Sequence, residues 1–139
     1  QTPTLGLHQA RIARSGEEVT LICYGPMVDT CLEAAKEASQ EGRKLEVIDV
    51  RSLSPLDMAT VYESVRRTTR AIVVQEAPRT QGVGAEIAAR LGEELYYVME
   101  APVLRVTGWS TPYPPAKAEG EHIPDVDRIL DAVDRSLAF

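Results

Sequence analysis

Aromatic side chains are scarce in these 139 residues: one tryptophan (Trp109), five tyrosines, and a single phenylalanine that is also the last residue, Phe139. The core must therefore be built from Val, Ile, Leu and Ala. Cysteine is scarcer still, with only Cys23 and Cys31, no Cys-x-x-Cys pair and no histidine beside either. That excludes a zinc ribbon and a dithiol redox motif. Cys23 falls in a strand-like apolar run and Cys31 in a helical one, so both read as buried free thiols, and a reducing, cytoplasmic setting is expected. The two histidines, His8 and His122, share no metal-ligand spacing with each other or with the cysteines, so no metal site is expected. His122 closes the polar run Glu119-Gly120-Glu121-His122 and reads as solvated. No apolar run approaches a membrane span and no signal-peptide pattern is present. Lys and Arg (15) are outnumbered by Asp and Glu (21), and the net charge of −6 argues against a nucleic-acid surface while suiting a basic protein partner.

What remains fits one domain over residues 1–139, long enough to bury about 70 % of its unfolded surface without a disulfide or metal. The chain starts Gln1-Thr2-Pro3 without a methionine, which reads as a domain cut from a longer polypeptide. Glu18 to Tyr24 is a strand stopped by Gly25-Pro26, and Met27 to Gln40 is a helix with Val28, Cys31, Leu32, Ala35 and Ala38 on one stripe. A second strand spans Leu45 to Val50. Arg51 to Ser54 then form a loop, and Pro55 followed by Asp57 opens a helix whose first turn the Asp57 carboxylate can cap. Met58, Val61, Tyr62 and Val65 give that helix its buried face. Ala71 to Gln75 is a third strand, continuously apolar, as strands covered on both faces are. Gly82-Val83-Gly84 leads into a helix carrying Ile87, Ala88, Leu91 and Leu95, and Val103 to Thr107 makes a fourth strand. A final helix starts near Asp125 with Val126, Ile129, Leu130, Val133 and Leu137 inward, and Leu7 to Arg14 adds a strand or an extended arm. The alternation predicts an α/β fold of three layers: a mainly parallel sheet with helices on both faces.

Most candidate chemistry dissolves on inspection. Gly82-x-Gly84 invites a dinucleotide-loop reading, yet it follows the third strand and lacks the third glycine, so a tight strand-to-helix turn that needs small residues is the preferred account. Glu76 and Glu86 flank that loop and could act as an acid–base pair only if burial separated their pKa values. No Gly-x-Ser-x-Gly elbow supports serine hydrolysis. Trp109 and Tyr113 stand out, because the run Trp109-Ser110-Thr111-Pro112-Tyr113-Pro114-Pro115 is a proline-stiffened loop at a strand's carboxyl end. Such a loop loses little entropy on binding and suits an interface anchor; alternatively both rings cover the sheet edge.

Several blocks carry a resemblance. They are Glu18 to Val28, Val47 to Asp57, Glu76-Ala77-Pro78 with Gly82 to Ile87, Ala101 to Gly108, and Thr111-Pro112-Tyr113-Pro114. Together they resemble the C-terminal, transketolase-like domain of the β subunit of thiamine-diphosphate-dependent 2-oxo acid dehydrogenases, from about Leu5 to Phe139. Glu-Ala-Pro and Gly-Trp-Ser-Thr-Pro look closer to the branched-chain enzymes than to pyruvate dehydrogenase. Transketolase and deoxyxylulose-phosphate synthase are rivals of the same fold, and a free-standing nucleotide-binding enzyme or stand-alone interaction module are rivals of another class. The resemblance implies an assembly and dimerisation domain of an enzyme that decarboxylates branched-chain 2-oxo acids and acylates lipoyl groups. Thiamine diphosphate and magnesium belong to the whole enzyme. No segment matches the family's pyrimidine-binding domain, so no catalytic or cofactor-binding residue is carried over. The implied partners are a second β subunit, the α subunit and the small, basic subunit-binding domain of the dihydrolipoyl acyltransferase. Phe139 is implied as a third partner-binding residue, because related β subunits end in a helix closed by an apolar residue whose terminal carboxylate can meet an arginine.

Overall fold

The computed structural model describes residues 4–139, so residues 1–3 of the domain expected over 1–139 lie outside the described residues. Five strands form one sheet in the order β1-β3-β2-β4-β5. The centre is β2 (Val19–Cys23), all five residues of which are buried, flanked in parallel by β3 (Leu45–Asp49) and β4 (Ala71–Pro78). Their apolar, largely β-branched sequence is what a strand covered on both faces requires. β5 (Leu104–Gly108) closes one edge in parallel, and β1 (Arg11–Arg14) closes the other as the sheet's antiparallel strand, so the arm before residue 15 does become a strand. β4 runs three residues further than its apolar run, because the ladder with β5 reaches Pro78 opposite Gly108 after a shift beyond Val74.

Alternating side chains of each strand feed two cores. On one face Val19, Leu21, Val47, Ile72 and Val106 pack under α1 (Met27–Gln40) and α5 (Val126–Leu137), through Cys31, Ala34, Ala35, Ile129 and Val133. On the other Ile22, Ile48, Val50 and Val73 meet α2 (Met58–Thr68) and α3 (Val83–Leu95), through Met58, Val61, Val65, Ile87, Leu91 and Leu95. The three layers match the expected α/β architecture. Leu32, Tyr62, Val126, Leu130 and Leu137, expected inward, are only partly buried at the rims, while Ala34 and Ala132 make close approaches at the centre.

Asp57 starts α2 as expected: its carboxylate accepts the Thr60 amide at 3.2 Å and the Thr60 hydroxyl at 2.6 Å. It also accepts the Ala10 amide at 2.9 Å, tying the arm ahead of β1 to the helix start. Burial pushes this carboxyl up, but the Thr60 and Ala10 donors outweigh it and hold it below its ordinary value. Pro55 sits in the turn ahead of the helix, where its carbonyl accepts from Ser52 Oγ at 2.8 Å.

A polar core lies under α2. Glu46, 1 % exposed, accepts from the Gly16 amide (3.1 Å), Ser64 Oγ (2.5 Å) and Arg67 Nη2 (2.7 Å). Thr20 adds hydroxyl contacts to Ser64 (2.8 Å) and Thr68 (2.7 Å). A buried carboxylate is tolerable only with such a set of donors. Cys23 and Cys31 are buried free thiols, and the Cys31 thiol together with burial pushes the Cys23 thiol far up, which leaves it protonated and inert.

Candidate interaction surfaces

The carboxyl ends of β4 and β5 hold the loop that the sequence singles out. After Gly108 the chain leaves the sheet through Trp109–Pro115, passes a 3₁₀ turn (Ala116–Ala118) and the one-turn helix α4 (Glu119–His122), and enters α5. Trp109 is 53 % exposed although both sides of its indole are held: Nε1 donates to the Glu121 carbonyl at 3.0 Å, and the Arg128 guanidinium lies 4.6 Å from the ring centroid. A cation over an indole face is attracted by the ring quadrupole. Tyr113 is 62 % exposed and donates its hydroxyl to the Glu119 carboxylate, which pushes the phenol up to about 12. An exposed ring that is already fixed loses little on binding. Both rings of the loop are therefore held in place and remain more than half exposed.

His122 is the correction here. It is 4 % exposed, not solvated. The short helix folds back on the end of β5, leaving Gly120 and Glu121 in solvent and turning the imidazole inward against the Tyr113 ring, 5.1 Å between centroids. Gly108 makes room for it, since a Cβ there would stand 2.9 Å from His122 Nε2 and 2.2 Å from the Glu76 carbonyl.

Phe139 belongs to a second surface. It is 71 % exposed and lines an apolar hollow of about 470 Å³ with Tyr96, Met99, Pro102 and Val103. Tyr96 and Tyr97 are 72 % and 98 % exposed, and their rings stand edge to face at 5.2 Å. Arg70 anchors this corner by donating to the Ser136 carbonyl (3.1 Å) and to Glu100 (2.6 Å), so the end of α5 is fixed to the segment before β5. The Thr69 hydroxyl and then Arg70 hold the Glu100 carboxyl below its ordinary value. Sequence reasoning missed the tyrosines because Tyr96 and Tyr97 follow Leu95, out of register with the Ile87–Leu91–Leu95 stripe. Adjacent aromatic residues just past a helix's last buried position were the available signal.

The other candidates resolve structurally. Gln75 is wholly buried; its Oε1 accepts the Gly84 amide at 2.7 Å and its Nε2 donates to the Pro78 carbonyl at 3.0 Å. A Cβ on Gly82 would lie 2.0 Å from that Nε2. The glycines thus admit a glutamine, and an amide that would face a pyrophosphate is already used. Glu86 turns to Arg90 at 2.7 Å, so it forms no pair with Glu76. At the strand-order reversal between β2 and β4, Tyr24 is half-buried, and burial and then Glu76 push its phenol up.

Residues 8–129 match the family described as transketolase, C-terminal domain. The chain is 54 % identical over 135 residues to the pyruvate dehydrogenase E1 component subunit beta of Leifsonia xyli subsp. xyli, covering 97 % of this chain and 40 % of that protein. It is 49 % identical over 136 residues to the 3-methyl-2-oxobutanoate dehydrogenase subunit beta of Mycobacterium tuberculosis, covering 97 % and 38 %. Among solved structures it superposes on a split gene transketolase, an inactive β4 tetramer, with TM-score 0.84 and 28 % identity, covering 99 % of this chain and 44 % of that one. The 2-oxoglutarate:ferredoxin oxidoreductase of Magnetococcus marinus shares the fold, with TM-score 0.58, 16 % identity, and coverage of 92 % of this chain and 19 % of that chain. The chain spans about two fifths of the length of the curated relatives it matches.

Proposed function

The chain belongs to the transketolase C-terminal domain family, and on that premise we propose that it is the assembly domain of the β subunit of a 2-oxo acid dehydrogenase. The observation that carries this is the pair of exposed aromatic surfaces, Trp109 with Tyr113, both held by hydrogen bonds, and Tyr96 with Tyr97 and Phe139, on an otherwise closed α/β core. Aromatic side chains held in place and left in solvent are what interface hot spots are made of. Similarity to β subunits over nearly the whole chain supports the same reading. The partners are a second β subunit, the α subunit and the acyltransferase's subunit-binding domain, the last suited to the net charge of −6. Buried free thiols suit a reducing, cytoplasmic compartment.

In the whole enzyme, thiamine diphosphate with magnesium would supply the carbanion-stabilising chemistry of decarboxylation. The residues of this chain do not fit that group. Among the described residues no cluster of three His, Cys, Asp or Glu side chains could hold a metal ion, and the Gly84 amide is taken by Gln75. No chemical step is placed on this chain, and turnover of a 2-oxo acid by it alone would refute the proposal.

Within the class we propose a branched-chain substrate, on the strength of Glu76-Ala77-Pro78 and Gly108-Trp109-Ser110-Thr111-Pro112. The similarities divide: the 54 % relative bears the pyruvate name and the 49 % relative the 3-methyl-2-oxobutanoate name. The deciding experiment compares kcat/KM for 3-methyl-2-oxobutanoate and pyruvate in the full α and β enzyme. Preference for the branched acid is expected, and preference for pyruvate moves the protein to the other branch of the same class.

A further inference from the structure

The assembly reading leaves one hollow without an occupant. Between the outermost strand β5 and the start of α5 lies a space of about 450 Å³ whose walls include Arg79, Arg105, Arg128 and Trp109, with Asp125, Asp127 and Asp131 also in its lining. Arg135, also in its wall, pairs with Asp131 at 3.7 Å. Arg79, Arg105 and Arg128 form no ion pair among the described residues.

Their placement is fixed rather than loose. Arg79 Nη1 donates to the Arg105 carbonyl at 3.2 Å, and Arg105 Nη1 donates to the Arg79 carbonyl at 3.0 Å. This reciprocal clasp fixes both side chains by neutral carbonyls, which leaves neither positive charge neutralised by a carboxylate within ion-pair distance among the described residues. Arg128 gives Nη2 to the Thr107 carbonyl at 2.6 Å and lies over Trp109, while its Nη1 is buried with no acceptor. A buried donor left unpaired is uncommon and costly. Four arginines and three aspartates line the hollow, and three of those arginines make no ion pair among the described residues, so the hollow carries a small local excess of positive charge in a chain of net charge −6.

We propose that this hollow seats a carboxylate-bearing segment of another polypeptide in the assembly. A planar guanidinium fork donates two parallel hydrogen bonds to a carboxylate, and Trp109, half exposed beside it, provides an apolar wall. A polyanion fits poorly, because Asp127 and Asp131 share the rim and would repel it. A segment presenting one Asp or Glu to the arginines and one Lys or Arg to Asp127 satisfies both signs. This inference deepens the assembly reading and rests on it, because it names the chemistry of one contact.

Two experiments on the full-length subunit in its complex test it. R105K puts a primary amine in the wall, and a carbodiimide then joins that amine to any carboxylate touching it. The expected product links position 105 to an Asp or Glu of another subunit. No link, or links only to acidic residues of the same chain, overturns the proposal. Because that variant also loses the fork, R79Q/R105Q is the second test. With an unchanged melting temperature, it should bind its assembly partner about tenfold more weakly at low salt and near-normally at high salt. Unchanged affinity at low salt overturns the proposal. Turnover of 2-oxo acids by the parent complex is measured in parallel. Turnover without the link leaves the assembly reading standing and removes this seat, whereas the link without turnover removes the proposed enzyme class and leaves the seat.

Discussion

Replacing Gly82 with alanine tests the packing at the start of α3. The backbone there, at φ −84°, suits any residue, so space alone demands glycine. The added Cβ would lie 2.0 Å from Gln75 Nε2 and 2.8 Å from its Cδ. Gln75 is wholly buried and committed at both ends of its amide, so it cannot step aside without breaking the bonds to Gly84 and Pro78. Leaving the Gly84 amide buried without an acceptor costs about 1–3 kcal/mol. Overpacking the turn costs about another 1–3 kcal/mol. G82A should therefore lose about 2–6 kcal/mol in urea unfolding, a large part of the roughly 5–15 kcal/mol typical of a folded domain. Removing the Gln75 side chain clears the space, so Q75A/G82A should be less destabilised than the two single variants added together, by about 1 kcal/mol or more. A G82A protein within about 0.5 kcal/mol of the parent, the range of an ordinary surface change, would refute the reasoning and revive a ligand-binding role for the loop.

Further outcomes follow from the ion pairs and titrating groups. R67M removes the half-exposed charged partner of a carboxylate that is 1 % exposed but keeps its Gly16 and Ser64 donors, and should cost about 1–3 kcal/mol, whereas R66M breaks the half-exposed pair with Glu94 and should cost about 0–1 kcal/mol; thermal unfolding of both variants checks the order. D57A loses the helix cap and the Ala10 anchor and should cost about 1–2 kcal/mol at neutral pH. Because the folded-state pKa of Asp57 is lowered, its stabilisation is present above the unfolded-state pKa and is lost as pH falls through the folded-state one. The gap between D57A and the parent should therefore close on acidification, as read from urea midpoints. Tyr113 should titrate near 12 in ultraviolet difference spectra, and E119Q should bring it back toward the ordinary tyrosine range.

The regular elements were legible because their signals are local. The apolar runs at β2, β3 and β4 and the stripes on α1 and α3 report burial directly, and Asp57 and Asp125 mark helix starts by chemistry that needs no tertiary contact. The site was legible in one part. Trp109 and Tyr113 stood out because proline excludes helix and central strand from their loop. What escaped depends on residues distant in sequence. Glu46 sits in a strand as any outward-facing polar residue would, and only Ser64 and Arg67, brought over by α2, make it a buried anion. His122 is buried by the fold-back of a one-turn helix, which a polar tetrapeptide does not announce. Arg79, Arg105 and Arg128 line one hollow only because the residue after β4, the first half of β5 and the first turn of α5 come together in space.

Whether this chain is an assembly domain is decided by sedimentation of the full β subunit with its partners after W109S/Y113S and, separately, Y96S/F139S. Y96S/F139S should melt as the parent does because both side chains are exposed. W109S/Y113S also removes the bonds to Glu121 and Glu119, so its assembly is compared at a temperature where the variant subunit is fully folded. Removing interface anchors should cost about 2 kcal/mol or more in binding, a loss of roughly thirtyfold in affinity. At least one pair of substitutions should dissociate the complex at concentrations where the parent is fully assembled. A complex that stays intact with both surfaces altered would contradict the assembly role.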